Sequence, residues 1–319
     1  MKNDTEQTAG REEQMNTDGM LAELISRFPV RNTEKQKEEF RAFVKNGFPE
    51  TRTEISDGYA NTVLGDPEKA KMIFCAHYDT PRRSLFPNLM LPCSKALGYL
   101  YMILTLLPLL AVSIAFFCGI RAFLPGNGID ARLMAVLSFL IVYYGLFFAL
   151  FRGPANRNNA NDNTSGTSAV LKLAGKELKG CAFILFDGEE KGKRGSRAFA
   201  KERPQVKENV PVINLDCVGN GSVFVLSATD AFIASPAGAA LRSSFEEAGV
   251  PFELRSRKDS RMNSDHMSFD ISCGICACRK SKKGILYTPY IHTKRDTVSD
   301  ESTVDTLTAV LAAAARKLG

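Results

Sequence analysis

Two stretches without a single charged residue constrain this chain more than anything else in it. They cover residues 96–120, a run of 25, and residues 133–151, a run of 19. As helices rising 1.5 Å per residue they would reach roughly 37 and 28 Å, against a bilayer hydrocarbon core of about 30 Å. A core helix of a water-soluble protein normally keeps a polar face, and neither run has one. Pro108 would kink the first run without ending it, which a membrane helix tolerates. The connector, residues 121–132, holds the turn sequence Pro125-Gly126-Asn127-Gly128. The sequence predicts a transmembrane hairpin inserted at residues 83–152, with two unusually apolar core helices as the alternative.

A hairpin returns the chain to the side it left, so the regions flanking it share one compartment. Arg82, Arg83, Lys95, Arg152 and Arg157 lie on the outer flanks, while Arg121 and Arg132 are the connector's basic residues. Positive charge favours the cytoplasmic side. The first twenty residues are polar and charged, so no secretory leader is expected. The eight cysteines lie mostly in apolar runs and read as free thiols of a reducing compartment. Cys273-Gly-Ile-Cys276-Ala-Cys278 lacks a second Cys/His pair at structural-zinc spacing and reads as buried strand. These signs predict an integral membrane protein whose soluble bulk is cytoplasmic. A net charge of +6 on 319 residues, dispersed rather than blocked, gives no support to nucleic-acid binding.

Outside the hairpin, apolar strand runs alternate with helical patterns. Residues 1–18 are polar and predicted disordered. Helices are expected at 20–28, 33–44, 167–178, 195–201, 236–248 and 302–318. Strands are expected within 53–64 and at 72–76, 181–186, 210–215, 221–228, 252–255 and 275–278. The alternation predicts an α/β fold, a three-layer sandwich with a mostly parallel central sheet, formed by residues 19–82 and 153–319.

Three of these strands end in side chains that bind metals. The strand at 72–76 delivers His77 and Asp79, that at 181–186 delivers Glu189 and Glu190, and that at 210–215 delivers Asp216. Open α/β sheets build their sites outside the carboxyl ends of their strands. Glu189-Glu190 alone reads as a solvated acidic turn. However, all three histidines of the chain, His77, His266 and His292, lie beside carboxylates.

Taken together, His77-Tyr-Asp79, Asn161-Asp162-Asn163-x-Ser165-Gly166, Glu189-Glu190, Asn214-Leu-Asp216, Ser264-Asp265-His266 and His292-Thr-x-x-Asp296 resemble the di-zinc exopeptidases of the aminopeptidase Y and bacterial leucyl aminopeptidase type. Glutaminyl cyclases and glutamate carboxypeptidase II are relatives of that family. The resemblance spans roughly residues 20–319 without the hairpin. It implies one metal on His77 and Glu190, another on Asp216 and His292, and Asp162 bridging both. It also implies Glu189 as general base and Asp79 as the partner that orients His77. Two His and three carboxylates suit two divalent ions, zinc first among them. Asp296 is a candidate for holding the His292 ring, with an unrelated role equally open. His266 is placed as a residue lining the site, or as an anchor of its loop.

The resemblance thus implies a membrane-anchored metallo-aminopeptidase acting on peptides, with the lipid bilayer as a second partner. The hairpin separates Asp79 from Asp162, which relatives join by a short loop. It therefore leaves from the rim of the site, either as an anchor alone or as a device that delivers a membrane-derived substrate. Two other readings stay open: a glutaminyl-cyclase-like acyltransferase with a single zinc, and a non-catalytic membrane scaffold of the same fold.

Overall fold

Strand β3, Met72–His77, is buried along its whole length, as its apolar run requires, and the rest of the sheet is assembled around it. The computed structural model describes residues 17–86, 88–124 and 128–319. The expectation of disorder for residues 1–18 therefore falls almost wholly outside the described part. In chain order come α1 (Met20–Arg27), α2 (Glu34–Gly47), β1 (Arg52–Ser56), β2 (Tyr59–Leu64), β3 and β4 (Leu89–Met90). The long helices α3 (Lys95–Phe123) and α4 (Ile129–Phe151) follow. After them come α5 (Gly166–Ala174), β5 (Cys181–Phe186), α6 (Arg194–Glu202), α7 (Pro204–Asn209), β6 (Val212–Leu215) and β7 (Val223–Ala228). The chain ends with α8 (Asp230–Ala234), α9 (Pro236–Glu247), β8 (Phe252–Ser256), β9 (Ser272–Lys280), β10 (Leu286–Pro289) and α10 (Glu301–Arg316).

The main strand order is β1-β2-β5-β3-β6-β9-β10-β4, with β7 pairing to β9 and β8 to β7. The centre is parallel, with β5, β3, β6 and β9 running together, and β7 and β8 form a further parallel pair. Both flanks are antiparallel, β1-β2-β5 on one side and β9-β10-β4 on the other. The sheet is thus mixed, which corrects the expectation of a mostly parallel one. The pairs β1-β2 and β9-β10 are each joined by a short turn, which can only reverse the chain, whereas parallel neighbours need a crossover.

Helices cover both faces. The larger core packs α1, α2, α5, α9 and α10 against Phe74, Ile213 and Ile275. A smaller one packs Phe199 and Val206 against Ile73, Ile184 and Phe186. Helix α2 starts where the sequence sets a capping box. Thr33 Oγ1 accepts from the Gln36 amide while the Gln36 side chain accepts from the Thr33 amide, an arrangement contributing about 1 kcal/mol. The sequence reading did not separate α7, α8, β4 or β10, which are two to six residues long.

Helices α3 and α4 pack on each other and stand largely outside this core. Both are long and apolar enough to cross a membrane, and their most apolar segments are only 11% and 6% buried. The chain leaves for α3 and returns from α4 through a paired neck. Arg82 and Ala155 form an antiparallel bridge. The Arg83 amide donates to Pro154 O at 2.8 Å, and the Gly153 amide to Arg83 O at 2.9 Å.

Candidate metal centre

The central strands fix the site because their register brings three carboxyl ends level. His77 lies opposite Phe186 of β5, and Cys75 lies opposite Asn214 of β6. The residues just past each strand therefore share one edge. Between Phe186 and the acidic pair, Gly188 takes φ +72°, and a β-carbon there would stand 2.4 Å from the Tyr59 ring. Only glycine fits that turn.

Asp162 enters from the segment Ala160–Ser165, ahead of α5, and its neighbours hold it against β6. Asn163 Nδ2 donates to Leu215 O (2.9 Å), and Asn163 Oδ1 accepts from the amides of Gly166 (3.0 Å) and Cys217 (3.2 Å). Asn161 Oδ1 accepts from the Gly219 amide at 2.9 Å, and Ser165 Oγ from the Val218 amide at 3.0 Å. The motif around Asp162 is thus largely a set of polar ties. Arg31, fully buried, adds another by donating to Tyr78 O (2.5 Å) and Thr164 Oγ1 (3.1 Å). Nothing in the sequence marked Arg31, because its partners are backbone oxygens and a hydroxyl distant along the chain.

Donor atoms of the five expected ligands converge. His77, Asp162 and Asp216 form one group, and Asp162, Glu190 and His292 another. His77 Nε2 lies 3.5 Å from Asp162 Oδ1 and 3.9 Å from Asp216 Oδ1. His292 Nε2 lies 3.0 Å from Asp162 Oδ2 and 3.4 Å from Glu190 Oε1. The two carboxylate oxygens of Asp162 thus face different histidines, as a bridging ligand requires. The implied pairing of His77 with Glu190, and of Asp216 with His292, is corrected to His77 with Asp216 and Glu190 with His292. Both β5 and β6 flank β3, but Asp216 follows the last residue of β6 directly, whereas Glu190 lies four residues past the end of β5. Glu189 also lies within the cluster, near His77 and Glu190.

This arrangement fits divalent ions. Glu190 Oε1 and Asp216 Oδ1 are buried and have no hydrogen-bond partner, although buried polar atoms are ordinarily paired. Electrostatics point the same way. Burial works against charge on His77, yet Asp162, Asp216 and Asp79 raise it well above the usual imidazole range. His292 is raised to about 10 by Glu190 and Asp162 against the same burial. Burial and neighbouring carboxylates push Glu190 up to about 7 despite His292. A concentration of negative charge that draws cations this strongly is also what binds Zn²⁺.

The supporting acids act through backbone amides. Asp79 Oδ1 accepts from the Glu189 amide at 3.1 Å, and Asp79 Oδ2 from the Glu190 amide at 3.2 Å. His77 Nδ1 lies 3.1 Å from the Asp79 carbonyl oxygen and 3.5 Å from its carboxylate. Asp79 therefore sets the acidic pair first, and the carbonyl oxygen is its nearer contact to His77. Asp296 does not hold the His292 ring through its carboxylate. Its two oxygens accept the amides of Asn161 and Asp162, both at 3.0 Å, so it positions the bridging aspartate.

His266 is fully buried, and neither ring nitrogen has a hydrogen-bond partner. Its ring packs where a β-carbon on residue 274 would lie, so Gly274 makes room for it. Burial depresses its pKa to about 3, aided by Arg257 and Lys193. It belongs to none of the metal-competent groups among the described residues. Its neighbour Asp265, to which the sequence reading gave no role within the Ser264-Asp265-His266 motif, is fully buried, and both its oxygens lack partners. Its negative charge is among those that raise Glu189.

A cavity of about 360 Å³ opens beside the centre, lined by Asp79, Glu190, His292 and Lys191, with Phe151 and Arg152 from the end of the hairpin. The Ser84 amide at the hairpin's root donates to His292 O at 2.6 Å. The hairpin thus leaves from the rim of the site.

No curated protein sequence matches this chain. Among solved structures, it is similar to the LapA aminopeptidase of Legionella pneumophila, with TM-score 0.57 and 16% identity over 95% of this chain and 68% of that one. It is likewise similar to a Zn-dependent exopeptidase from Parabacteroides distasonis, with TM-score 0.54 and 18% identity over 94% and 97%. A third is the glutaminyl cyclase of Porphyromonas gingivalis, with TM-score 0.55 and 15% identity over 95% and 97%. At these identities the shared property is the fold, which hydrolases and an acyltransferase both use. The model of peptidase family M28 matches residues 148–315, more than half of the chain and all of the site except His77 and Asp79. On that match, the chain belongs to peptidase family M28.

Proposed function

We propose that this peptidase is a membrane-anchored zinc aminopeptidase that removes N-terminal residues from peptides. The observation that carries the two-metal reading is Asp162, whose two oxygens serve two separate donor groups. His77 and Asp216 would hold one ion, Glu190 and His292 the other. When bound, such ions supply Lewis acidity, lowering the pKa of water and polarising the scissile carbonyl.

The chain's own residues do the rest. Glu189 takes the proton of the attacking water and returns it to the leaving amine. Burial raises its pKa well above the usual carboxylate range, as do Glu190, Asp265 and Asp216, while His77 opposes them. Asp79 fixes the backbone of the acidic pair, and Asp296 fixes that of Asp162. His266, neutral and buried, shapes the wall behind the site.

Residues 83–152 form the membrane insertion in this reading, and residues 19–82 with 153–319 the catalytic domain. Support comes from the paired neck at Arg82 and Ala155 and from the exposed apolar surfaces of α3 and α4. The basic residues on the outer flanks favour a catalytic domain on the cytoplasmic side.

Metal content and substrate choice test the function together. The purified full chain is expected to hold two zinc ions and to hydrolyse aminoacyl amides with a free, but not an acetylated, α-amine. One zinc per chain, with cyclisation of N-terminal glutamine, would favour the acyl-transfer reading instead.

A further inference from the structure

A second cavity, of about 510 Å³, adjoins the metal centre and is built largely from the hairpin. Tyr101, Met102, Thr105 and Leu106 of α3 form one wall, with Phe147 and Phe151 of α4 beside them. Leu89, Met90 and Ile291 complete the side towards the sheet. Its volume falls within the range of sites that enclose small ligands. The charged residue on its lining apart from His292 is Arg261, whose guanidinium stacks on the Tyr99 ring at 4.5 Å. The first cavity is the opposite in character, lined by Lys37, Asp79, Arg82, Asp187 and Glu190. His292 and Phe151 line both cavities. A peptide held at the centre would therefore have a charged space and an apolar space both within reach of His292.

We infer that this groove binds the apolar N-terminal residue of the substrate, so that the hairpin is a wall of the substrate site as well as an anchor. The inference rests on the aminopeptidase reading and narrows it to peptides that begin with large apolar residues. Two observations select that occupant. The groove meets the candidate metal centre at His292, which lines it, so an N-terminal residue held there lies next to that centre. Its other wall is helix surface, and Leu106 lies 11 residues into α3, roughly 16 Å along the helix axis. With α3 and α4 in a bilayer, the groove lies alongside the hydrocarbon, from which an apolar N-terminus can enter without crossing water.

The chain contains no tryptophan, so one placed in the groove reports on it alone. The full-length protein in nanodiscs, zinc-loaded, is the sample. Two variants place the probe: Met102→Trp in the groove and Ile103→Trp on the exposed surface of α3. A Leu-Phe-Phe amide peptide is expected to shift Met102→Trp emission saturably and to leave Ile103→Trp unchanged. In turnover, Thr105→Phe is expected to lower the ratio of kcat/KM for phenylalanyl over alanyl amides at least ten-fold, and Ile103→Trp to leave that ratio within two-fold. Equal shifts at both positions would mean partition into lipid and would overturn the inference. No shift at Met102→Trp would leave the groove to lipid and overturn it as well, as would an unchanged ratio in Thr105→Phe. Failure of the aminopeptidase reading looks different: a saturable shift at Met102→Trp without turnover of any amide keeps the groove as a peptide site and rejects the hydrolytic assignment.

Discussion

At the edge where β3, β5 and β6 end, acids and histidines are gathered together, and several are held by named contacts. Asp162 alone depends on the hydrogen bonds that its own and Asn161's amides donate to Asp296, and on the polar ties of Asn161, Asn163 and Ser165 to the end of β6. A few residues along the chain, α3 and α4 expose Leu104, Leu107, Ile141 and Phe148. The first region would be costly to fold without cations, since buried like charges repel and buried polar atoms need partners. The second would be costly in water, since contiguous exposed apolar surface of this extent is otherwise an interaction site. Each region is thus incomplete in a different solvent sense. One lacks charge compensation and the other lacks an apolar medium. They meet at the hairpin neck, where the Ser84 amide reaches His292 O.

The largest effect that separates the two regions comes from removing one of them. If α3 and α4 anchor the protein as proposed, replacing residues 85–151 by a short Gly-Ser turn between Ser84 and Arg152 should move it from the membrane fraction to the soluble fraction. Because Arg82 and Ala155 already pair, this variant should still hold two zinc ions. Loss of zinc would show instead that the hairpin is integral to the centre. A smaller effect should follow at the other region. Asp296→Asn keeps the shape but weakens one of the two amide contacts to Asn161 and Asp162, and should lower zinc affinity by about 10- to 100-fold. Competition with a chromophoric chelator measures this, and an unchanged affinity would remove Asp296 from the support of the centre.

The smallest effect is one of pH. His266 has a folded pKa of about 3, below its unfolded value near 6.5. Between these values the unfolded chain binds the extra proton, so the contribution to stability is complete above pH 6.5 and is lost as pH falls towards 3. The slope is about 1.4 kcal/mol per pH unit for this one group. Melting curves of wild type and His266→Gln in detergent should therefore converge with acidification, the wild type losing stability faster. Parallel pH profiles would show that His266 is not held neutral.

Much of this was legible from residue types and spacing. The apolar runs at 72–76 and 181–186 became β3 and β5 with little change of boundary, since long buried strands leave little room for other readings. Three of the five candidate ligands, His77, Glu190 and Asp216, were readable because His, Asp and Glu at the ends of apolar strands have few structural uses, while Asp162 and His292 came from the family resemblance. Which histidine faces which carboxylate was not readable. It depends on how the segments past the ends of β5 and β6, on either side of β3, come together, and no local pattern carries that. The tasks of Asp79 and Asp296 were hidden for a related reason. Their partners are backbone amides, and every residue has one. The parallel content of the sheet was overestimated because β10, only four residues long and ending in Pro289, gives almost no periodic signal. With it unseen, the antiparallel flank β9-β10-β4 was invisible.

The central claim is that the acidic pair divides its labour, Glu190 binding metal while Glu189 moves the proton. Zinc content and aminoacyl-amide hydrolysis, measured together on wild type and Glu189→Gln, test it directly. The expected result is two zinc ions in both proteins and a turnover about 10²- to 10⁴-fold lower in the variant. Two zinc ions in both with equal turnover would contradict it.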